Sequence, residues 1–242
     1  MDAPINRQGP YDIIVAGAGI GGLCAALRAQ EKGASVAVLE NAQGIGGSAA
    51  ASGGTIWCAT TIDQWLKVQP GGDPLLGAAL VDHFHLGIPW LTDQGVSLQK
   101  LHEQNPYKFE RIIYKFLPDA RGALEKLAEK FLSQHGTLLT STSLTGLIGG
   151  KGNPVVGVKT THSDICAKAV ILATGGFQAN AKLRAQYFGP ESEHMIVRGV
   201  PENKGGDLRV RSVLARSLRV LSIDSTAISC PHLRLKLDCI TL

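Results

Sequence analysis

The chain has 242 residues, of which 44% are hydrophobic and 18% are charged, a composition that excludes an intrinsically disordered protein. Its 29 glycines cluster instead of recurring at every third position, which excludes a collagen-like fibre. The net charge of +4 lies in residues 208–242, where six Arg and Lys accompany two Asp, so residues 1–207 are neutral. Because this basic segment is diluted by aliphatic residues and has no aromatic platform, we predict no nucleic-acid partner.

The first forty residues predict a strand, a helix and a second strand. Residues 12–16 form a short apolar run that ends at a glycine, as is typical of a buried parallel strand. Apolar residues recur at helical spacing through 20–32, and Gly33 suits the C-cap of that helix. Residues 35–40 predict the next strand. Together they predict one right-handed βαβ unit.

Residues 60–135 predict helices. Apolar residues recur at threes and fours through 76–91, with a break at Gly87 and a new helix that begins at Pro89. Another amphipathic helix covers 124–132 and ends near Gly136.

The last predicted elements are strands. Residues 151–154 favour a hairpin turn that leads into a strand at 155–160. A final apolar strand at 169–173 runs directly into Thr174, Gly175 and Gly176. We therefore expect a parallel sheet with inserted helices and a β-hairpin.

The cysteines and histidines indicate no metal site. The five cysteines are scattered without a Cys-x-x-Cys pair, which argues against zinc. His83 and His85 are two residues apart, the wrong spacing for two ligands on one helical face. Residues 1–10 lack a signal-peptide apolar region and no run approaches 18 apolar residues, so we predict no transmembrane segment and a cytoplasmic location.

The glycine motif at 17–22 predicts a dinucleotide-binding turn. Gly17 permits the tight turn, Gly19 lets a pyrophosphate come close, and Gly22 lets the helix pack on the strand. An anion there meets free N–H groups at the positive end of the helix. Glu40, at the end of the second strand, can accept hydrogen bonds from both ribose hydroxyls and disfavours a 2′-phosphate.

A second small-residue segment, 44–57, favours FAD over NAD. A simple NAD domain has no need for such a segment, whereas a long cofactor can lie along it. Its backbone N–H groups and the hydroxyls of Ser48 and Ser52 could then face the pyrophosphate, ribityl and flavin. The alternative is a flexible surface loop, which the Ile56-Trp57 end makes less favourable.

Three segments, 12–40, 46–57 and 167–180, resemble the flavoprotein family of fumarate reductases, succinate dehydrogenase flavoprotein subunits and 3-ketosteroid Δ1-dehydrogenases. The Ala-Thr-Gly-Gly-Phe element at 173–177 is the most specific match, and residues 203–207 look like the family's N-T-G-D-G. The resemblance implies an α/β, Rossmann-like FAD-binding domain at 1–207. Residues 208–242 would then lead towards a cap (substrate) domain that these 242 residues do not include, so we expect a truncated chain.

The resemblance also assigns cofactor-binding residues. They are Gly17, Ala18, Gly19, Ile20, Gly21 and Gly22 for the pyrophosphate; Glu40 and Asn41 for the adenosine ribose; Gly46, Gly47, Ser48, Ser52, Gly53 and Gly54 for the ribityl and flavin; Leu144 for the adenine; and Ala173, Thr174, Gly175 and Asp207 closing over the cofactor. Relatives with covalent flavin carry a histidine beside the Ser48 position. Gly47 stands there in this chain, so we expect noncovalent FAD.

The implied reaction is hydride transfer between flavin and a C–C bond next to a carbonyl group, with a hydrophobic ketone or a dicarboxylate as the small-molecule substrate. No catalytic residue can be assigned, because the family's catalytic groups lie in the cap and return segments. Two alternatives stay open: an FAD-binding remnant without activity, or a subunit completed by a partner chain. Residues 233–239 alternate apolar and charged, which favours a half-buried strand. Such a strand could contact a second copy through its exposed edge, but the pattern favours an unpaired remnant of the missing cap over an interface.

Overall fold

A computed structural model describes residues 11–102, 109–150 and 153–206. Asp207, the aromatic residue Tyr107, the first half of the predicted hairpin turn and the segment 208–242 lie outside the described residues. The elements, in chain order, are β1 (Tyr11–Ala16), α1 (Ile20–Glu31), β2 (Val36–Leu39), α2 (Gly47–Ala50), β3 (Thr55–Ala59), α3 (Ile62–Val68), α4 (Pro74–Asp93), β4 (Ser97–Leu101), β5 (Arg111–Leu117), α5 (Ala120–Ser133), β6 (Thr137–Leu139), β7 (Leu144–Gly150), β8 (Asn153–Thr160), β9 (Asp164–Leu172), α6 (Ala181–Phe188) and a short 3₁₀ helix (Pro190–His194).

A six-stranded sheet in the order β6-β2-β1-β9-β8-β7 organises the fold. The strands β6, β2, β1 and β9 run parallel, whereas β7, β8 and β9 pair antiparallel. Strand β1 is central to the parallel part, and its residues Ile14 and Val15 are fully buried. The predicted βαβ unit and α/β class are confirmed, and the β7–β8 hairpin lies at the predicted place.

The main core lies between this sheet and helices α1 and α5. Leu23 and Leu27 of α1 pack with Leu127 and Phe131 of α5, and all four side chains are completely buried. The amphipathic spacing of both helices places these residues on one face, so the same pattern that predicted the helices also produces the core. Helix α5 begins at an Asp119 N-cap, whose side chain accepts a hydrogen bond from the backbone N–H of Gly122.

The prediction that 60–135 is helical is wrong in two places. Strands β4 and β5 pair with β3 in a separate three-stranded antiparallel sheet, in the order β3-β5-β4. The buried residues of β5, Ile113 and Phe116, are three apart, a spacing that a helix also produces. The β-branched and aromatic composition of β5 and its long-range pairing decide for a strand. Tyr114 in β5 packs against α4, with its ring centroid 6.4 Å from that of Phe84.

The break predicted at Gly87 and the new helix at Pro89 are also wrong, because α4 continues through both residues to Asp93. A proline inside a helix removes the hydrogen bond to the carbonyl four residues earlier, here that of His85. His85 and Pro89 lie on the exposed side of α4, where water can satisfy that carbonyl. None of the helices in the described ranges combines the length and apolar character that a membrane span needs.

Candidate cofactor site

Three of the predicted site segments meet at one edge of the parallel sheet. Gly17 follows β1, Glu40 follows β2 and Ala173 follows β9, while Ala16 is in register with both Leu39 and Leu172. The backbone N–H of Gly17 donates to the Leu39 carbonyl at 2.7 Å, and that of Ala173 donates to the Ala16 carbonyl at 2.8 Å. The carboxyl ends of parallel strands are where open α/β sheets bind ligands.

Gly17 and Gly22 are required by packing within the turn. Gly17 has a φ of +109°, and a Cβ atom there would lie 2.2 Å from the Ala173 carbonyl oxygen. A Cβ atom on Gly22 would lie 1.8 Å from the Gly17 carbonyl oxygen. Any side chain at either position would therefore displace the turn, α1 or the loop after β9.

Gly19 and Gly21 are not explained by packing. A Cβ atom on Gly21 would meet nothing within 4 Å, and one on Gly19 would meet only the Gly46 carbonyl oxygen at 3.9 Å. Neither residue has a positive φ. Gly19 is the N-cap of α1, so no side chain caps the helix, and the first turn has no acidic residue. The surface in front of the turn is thus bare backbone at the positive end of a helix, which suits an anionic diphosphate.

Glu40 is held by the backbone of two neighbouring turns. Its side chain is 8% exposed, its Oε2 accepts from the N–H of Ala18 at 2.8 Å, and its Oε1 accepts from the N–H of Ala42 at 2.9 Å. Each carboxylate oxygen can accept a second hydrogen bond. Glu40 therefore orients the glycine turn and still has acceptor capacity for hydroxyl groups.

The residues that the resemblance assigns to adenosine binding also lie close together. Asn41 Oδ1 accepts a short hydrogen bond from the Ser143 hydroxyl, directly before Leu144, the first residue of β7. The Thr142 N–H donates to the Glu40 carbonyl at 2.8 Å. The segments 40–42 and 141–144 thus form one continuous surface. Sequence reasoning missed Thr142 and Ser143, since only the fold brings them beside Glu40.

The small-residue segment that favoured FAD lies against the glycine turn. The N–H of Gly46 donates to the Ala18 carbonyl at 2.9 Å, and Gly19 and Gly46 form an isolated β-bridge. The segment contains α2 and the first three residues of β3, so part of it has regular secondary structure. Gly47 and Gly53 each have open space within 4 Å of a built Cβ, and Gly47 also has a φ of +48°, a left-handed conformation that favours glycine.

Ser52 and Gly54 take part in contacts within the protein. The Ser52 hydroxyl donates to the Ala49 carbonyl at 2.7 Å and accepts from the Gly54 N–H at 3.2 Å. Gly54 has a φ of +75° and lies close to the start of α5, with a built Cβ 3.2 Å from the Ala120 nitrogen. Ser52 and Gly54 therefore shape the loop around the site.

Asn203, which was not assigned from the sequence, joins the turn after β9 to the loop that contains Ser48. Gly175 has a φ of +75°, and a Cβ atom there would lie 3.0 Å from Asn203 Oδ1. The Asn203 side chain donates through Nδ2 to the Ser48 hydroxyl oxygen at 2.7 Å. The N-T-G-D-G-like segment at 203–207 was the available signal, but it does not say which group its Asn contacts.

Candidate acids and bases are scarce around these loops. Segments 41–57 and 172–181 contain no ionisable side chain. Burial raises the pKa of the Cys24 thiol to about 12 and that of the Cys58 thiol to about 11, so both stay protonated at neutral pH.

A cleft of about 290 Å³ lies on the three-stranded sheet, and none of its lining residues, 100–102 and 109–113, belongs to the glycine segments. No potential metal-ligand cluster occurs within 11–102, 109–150 and 153–206.

Comparisons with known proteins agree with this geometry. A family model described as FAD binding domain matches residues 12–225. A urocanate reductase of Eggerthella lenta is 27% identical over 239 residues, covering 86% of this chain and 38% of that enzyme. A 3-oxosteroid 1-dehydrogenase of Comamonas testosteroni is 46% identical over 54 residues, 22% of this chain and 9% of that enzyme.

The fold is also that of a solved flavoenzyme. The open conformation of a flavocytochrome c3 fumarate reductase superposes with a TM-score of 0.76 at 22% identity, covering 86% of this chain and 41% of that one. The present chain therefore spans less than half the length of these relatives.

Proposed function

The chain belongs to the FAD binding domain family, and on that premise we propose that it is a noncovalent FAD-dependent oxidoreductase acting on a C–C bond next to a carbonyl group. The observation that carries the proposal is the bare backbone of Gly19 and Gly21 at the start of α1, beside the segment that contains Gly46. Glycines that packing does not require leave room for a ligand that must approach the backbone closely.

The residues present fit FAD along its length. The turn at 17–22 would hold the diphosphate, because it offers backbone N–H groups and the positive end of α1. Glu40, Asn41 and the start of β7 would hold the adenosine, while Gly46, Gly47, Ser48 and Gly53 would lie along the ribityl and flavin. Thr174 and Gly175 would close the opposite side. When bound, FAD supplies hydride transfer at its flavin ring.

This chain's own contribution is binding and orientation. Glu40 keeps the glycine turn in place through Ala18, and the loop containing Gly46 holds the turn from the other side. Gly47 has no side chain to form a covalent bond with the flavin. Because the glycine segments provide no ionisable side chain, the proton that accompanies hydride transfer must be handled by a group outside 41–57 and 172–181.

The substrate class is proposed from the relatives. The names of the three reported relatives describe action on urocanate, a 3-oxosteroid and fumarate. All three compounds carry a C–C bond conjugated with, or adjacent to, a carbonyl group. We therefore place the substrate among hydrophobic ketones and unsaturated carboxylates. The second hypothesis is an FAD-binding subunit or remnant without turnover of its own, and the lack of ionisable side chains in segments 41–57 and 172–181 supports it.

The test uses the full purified chain. After incubation with FAD and desalting, we expect the flavin absorbance bands at close to one flavin per chain, released into the supernatant by acid denaturation. The control is Gly19→Val, which fills the bare surface at a backbone conformation that valine tolerates and should fold normally yet lose the flavin. Reduced, loaded protein is then mixed with fumarate or urocanate, and oxidised protein with a 3-oxosteroid and a dye acceptor.

Each outcome has a distinct meaning. Retained flavin with turnover of one substrate class supports the oxidoreductase and identifies that class. Retained flavin without turnover favours the second hypothesis. A folded wild-type chain that retains no flavin, or flavin that stays with the acid precipitate, contradicts the corresponding part of the proposal.

A further inference from the structure

Asn203 connects two segments that the proposed function places along the cofactor. Its Nδ2 donates to Ser48 Oγ at 2.7 Å, and the two residues are 155 positions apart in the chain. Asn203 is only 8% exposed. Its backbone is fixed as well, because its carbonyl accepts from the Ala179 N–H at 2.9 Å and its own N–H donates to the Val200 carbonyl at 3.2 Å.

The other side-chain atom of Asn203 faces the turn after β9. Asn203 Oδ1 would be 3.0 Å from a Cβ atom on Gly175, so the amide fills the space that this glycine leaves. Nearby, the Gly205 N–H donates to the Gly176 carbonyl at 3.2 Å. The Asn203 amide thus lies between α2 and the turn at 174–176. The hydrogen bond to Ser48 and the close approach to Gly175 together fix the position of this amide.

The direction of the hydrogen bond determines what Ser48 can do. A hydroxyl has one hydrogen to donate and two lone pairs to accept. Because Asn203 donates, it occupies a lone pair of Ser48 and leaves the hydroxyl hydrogen for an acceptor elsewhere. The oxygens of FAD, on its diphosphate and ribityl chain, are acceptors of this kind.

We propose that Asn203 is a positioning residue for FAD, which acts by holding the Ser48 hydroxyl so that its hydrogen is donated to a cofactor oxygen. This inference rests on the proposed function and adds a residue to it. Asn203 acts through Ser48, so its effect on FAD affinity requires the Ser48 hydroxyl.

The charges around Asn203 make the proposal testable by pH. The two segments that face it, 41–57 and 172–181, contain no ionisable side chain. On its own segment the ionisable neighbours are Glu202 and Lys204, and Asp207 lies outside the described residues. A carboxyl group at position 203 would therefore be the one new titrating group beside Ser48.

The variant is Asn203→Asp, which keeps the shape of the side chain. At about pH 8 its carboxylate would accept the Ser48 hydrogen and withdraw it from the cofactor, so we expect FAD affinity to fall about 10-fold. Burial raises the pKa of a carboxyl group, and the protonated form can donate as the amide does. At about pH 5 the affinity should therefore recover most of the loss. Quenching of FAD fluorescence by the apo-chain measures the affinity at each pH.

The matched control is Asn180→Asp. Asn180 caps α6 by accepting from the Leu183 N–H, which an aspartate can also do, and it loses only the hydrogen bond to the Lys204 carbonyl. We expect its FAD affinity to stay within about 2-fold of wild type, with the same pH profile. In a Ser48→Ala background, Asn203→Asp and Asn203→Ala should cause little further loss. Asn203→Ala adds no charge and serves if the aspartate variant does not fold.

Four results would overturn the proposal. Wild-type affinity of Asn203→Asp at high pH would mean that Ser48 donates to position 203 and not to the cofactor. A loss that does not recover at low pH, or an equal loss in the Ser48→Ala background, would mean that residue 203 acts without the Ser48 hydroxyl. A wild-type chain that binds no FAD would contradict the proposed function on which this inference rests.

Discussion

At the scale of single residues, the glycines of 17–22 serve two different purposes. Gly17 and Gly22 are excluded from carrying a side chain by backbone atoms at 2.2 and 1.8 Å from a built Cβ. A built Cβ on Gly21 meets no atom within 4 Å, so packing does not require a glycine at this position. We therefore propose that the motif is partly a structural requirement and partly a surface for the cofactor. One pair of substitutions separates the two.

We expect Gly22→Ala to destabilise the fold and Gly21→Ala not to destabilise it. Overpacking against the Gly17 carbonyl should cost about 1–3 kcal/mol or more, because backbone must move. Alanine at Gly21, inside α1, should raise stability by about 0.5–1 kcal/mol while weakening FAD binding. Urea denaturation of the apo-chain and FAD titration measure the two effects. Equal destabilisation by both substitutions, or unchanged FAD affinity of Gly21→Ala, would contradict this division.

At the scale of elements, one carboxylate at the start of β1 joins this strand to the residue before β2 and to the middle of β9. Asp12 in β1 accepts from the N–H and hydroxyl of Ser35, directly before β2, at 2.8 and 2.9 Å. It also pairs with Lys168 in β9 at 2.6 Å. The Lys168 ammonium first, and then the Ser35 donors, hold the pKa of Asp12 well below its ordinary range. This tie lies at the sheet edge opposite the cofactor loops.

The Asp12 contacts should stabilise the fold only when the carboxyl group is ionised. Since its pKa is lowered in the folded chain, the stabilisation is complete above about pH 4 and is lost as pH falls through the folded pKa. Asp12→Asn should therefore lower the Tm at neutral pH, and the difference from wild type should shrink below about pH 4. Thermal unfolding monitored by circular dichroism over this range measures it.

Glu129→Gln is the control for that experiment, because it removes one member of an exposed Lys126–Glu129 pair within α5. Such a pair contributes little to stability, so we expect no resolved change of Tm. A pH-independent difference between wild type and Asp12→Asn would mean that the lost contacts do not depend on the charge of Asp12.

At the scale of the whole molecule, the site is assembled from stretches that are far apart in the chain. The turn at 17–22, Glu40, the loop at 46–54, the turn at 173–176 and Asn203 meet through hydrogen bonds and close packing. A ligand that touches all of them would be bound by the folded chain and not by the unfolded one. Binding and folding are then thermodynamically linked.

FAD should accordingly raise the Tm of the whole chain. At a concentration about 100 times its Kd, the ligand adds about 2.7 kcal/mol, which corresponds to a rise of roughly 5–10 °C for a chain of this size. Riboflavin, which lacks the diphosphate and adenosine, should give a much smaller rise. Differential scanning fluorimetry with an external dye compares the two. Equal shifts would show that the turn at 17–22 and Glu40 do not contribute to binding.

Local pattern was sufficient where neighbouring residues determine the structure. It predicted the βαβ unit, the helix through 124–132, the hairpin and the glycine turn. It failed at β4, β5 and Pro89, where long-range pairing and the exposure of one helix face decide. Local pattern also does not show that Glu40 is held by Ala18 and Ala42, or that the Ser52 hydroxyl is used within its own loop.

By itself, the sequence of this protein determined the α/β class and the positions of the residues expected to bind FAD. The α/β class follows from periodicity and from steric limits that act over a few neighbouring residues, whereas the positions of the expected FAD-binding residues follow from the resemblance of three segments to a flavoprotein family. Tertiary structure alone decided which of the glycines are required by packing and that Asn203 reaches Ser48. Those facts depend on the distance between segments up to 155 residues apart, and only the folded backbone sets that distance.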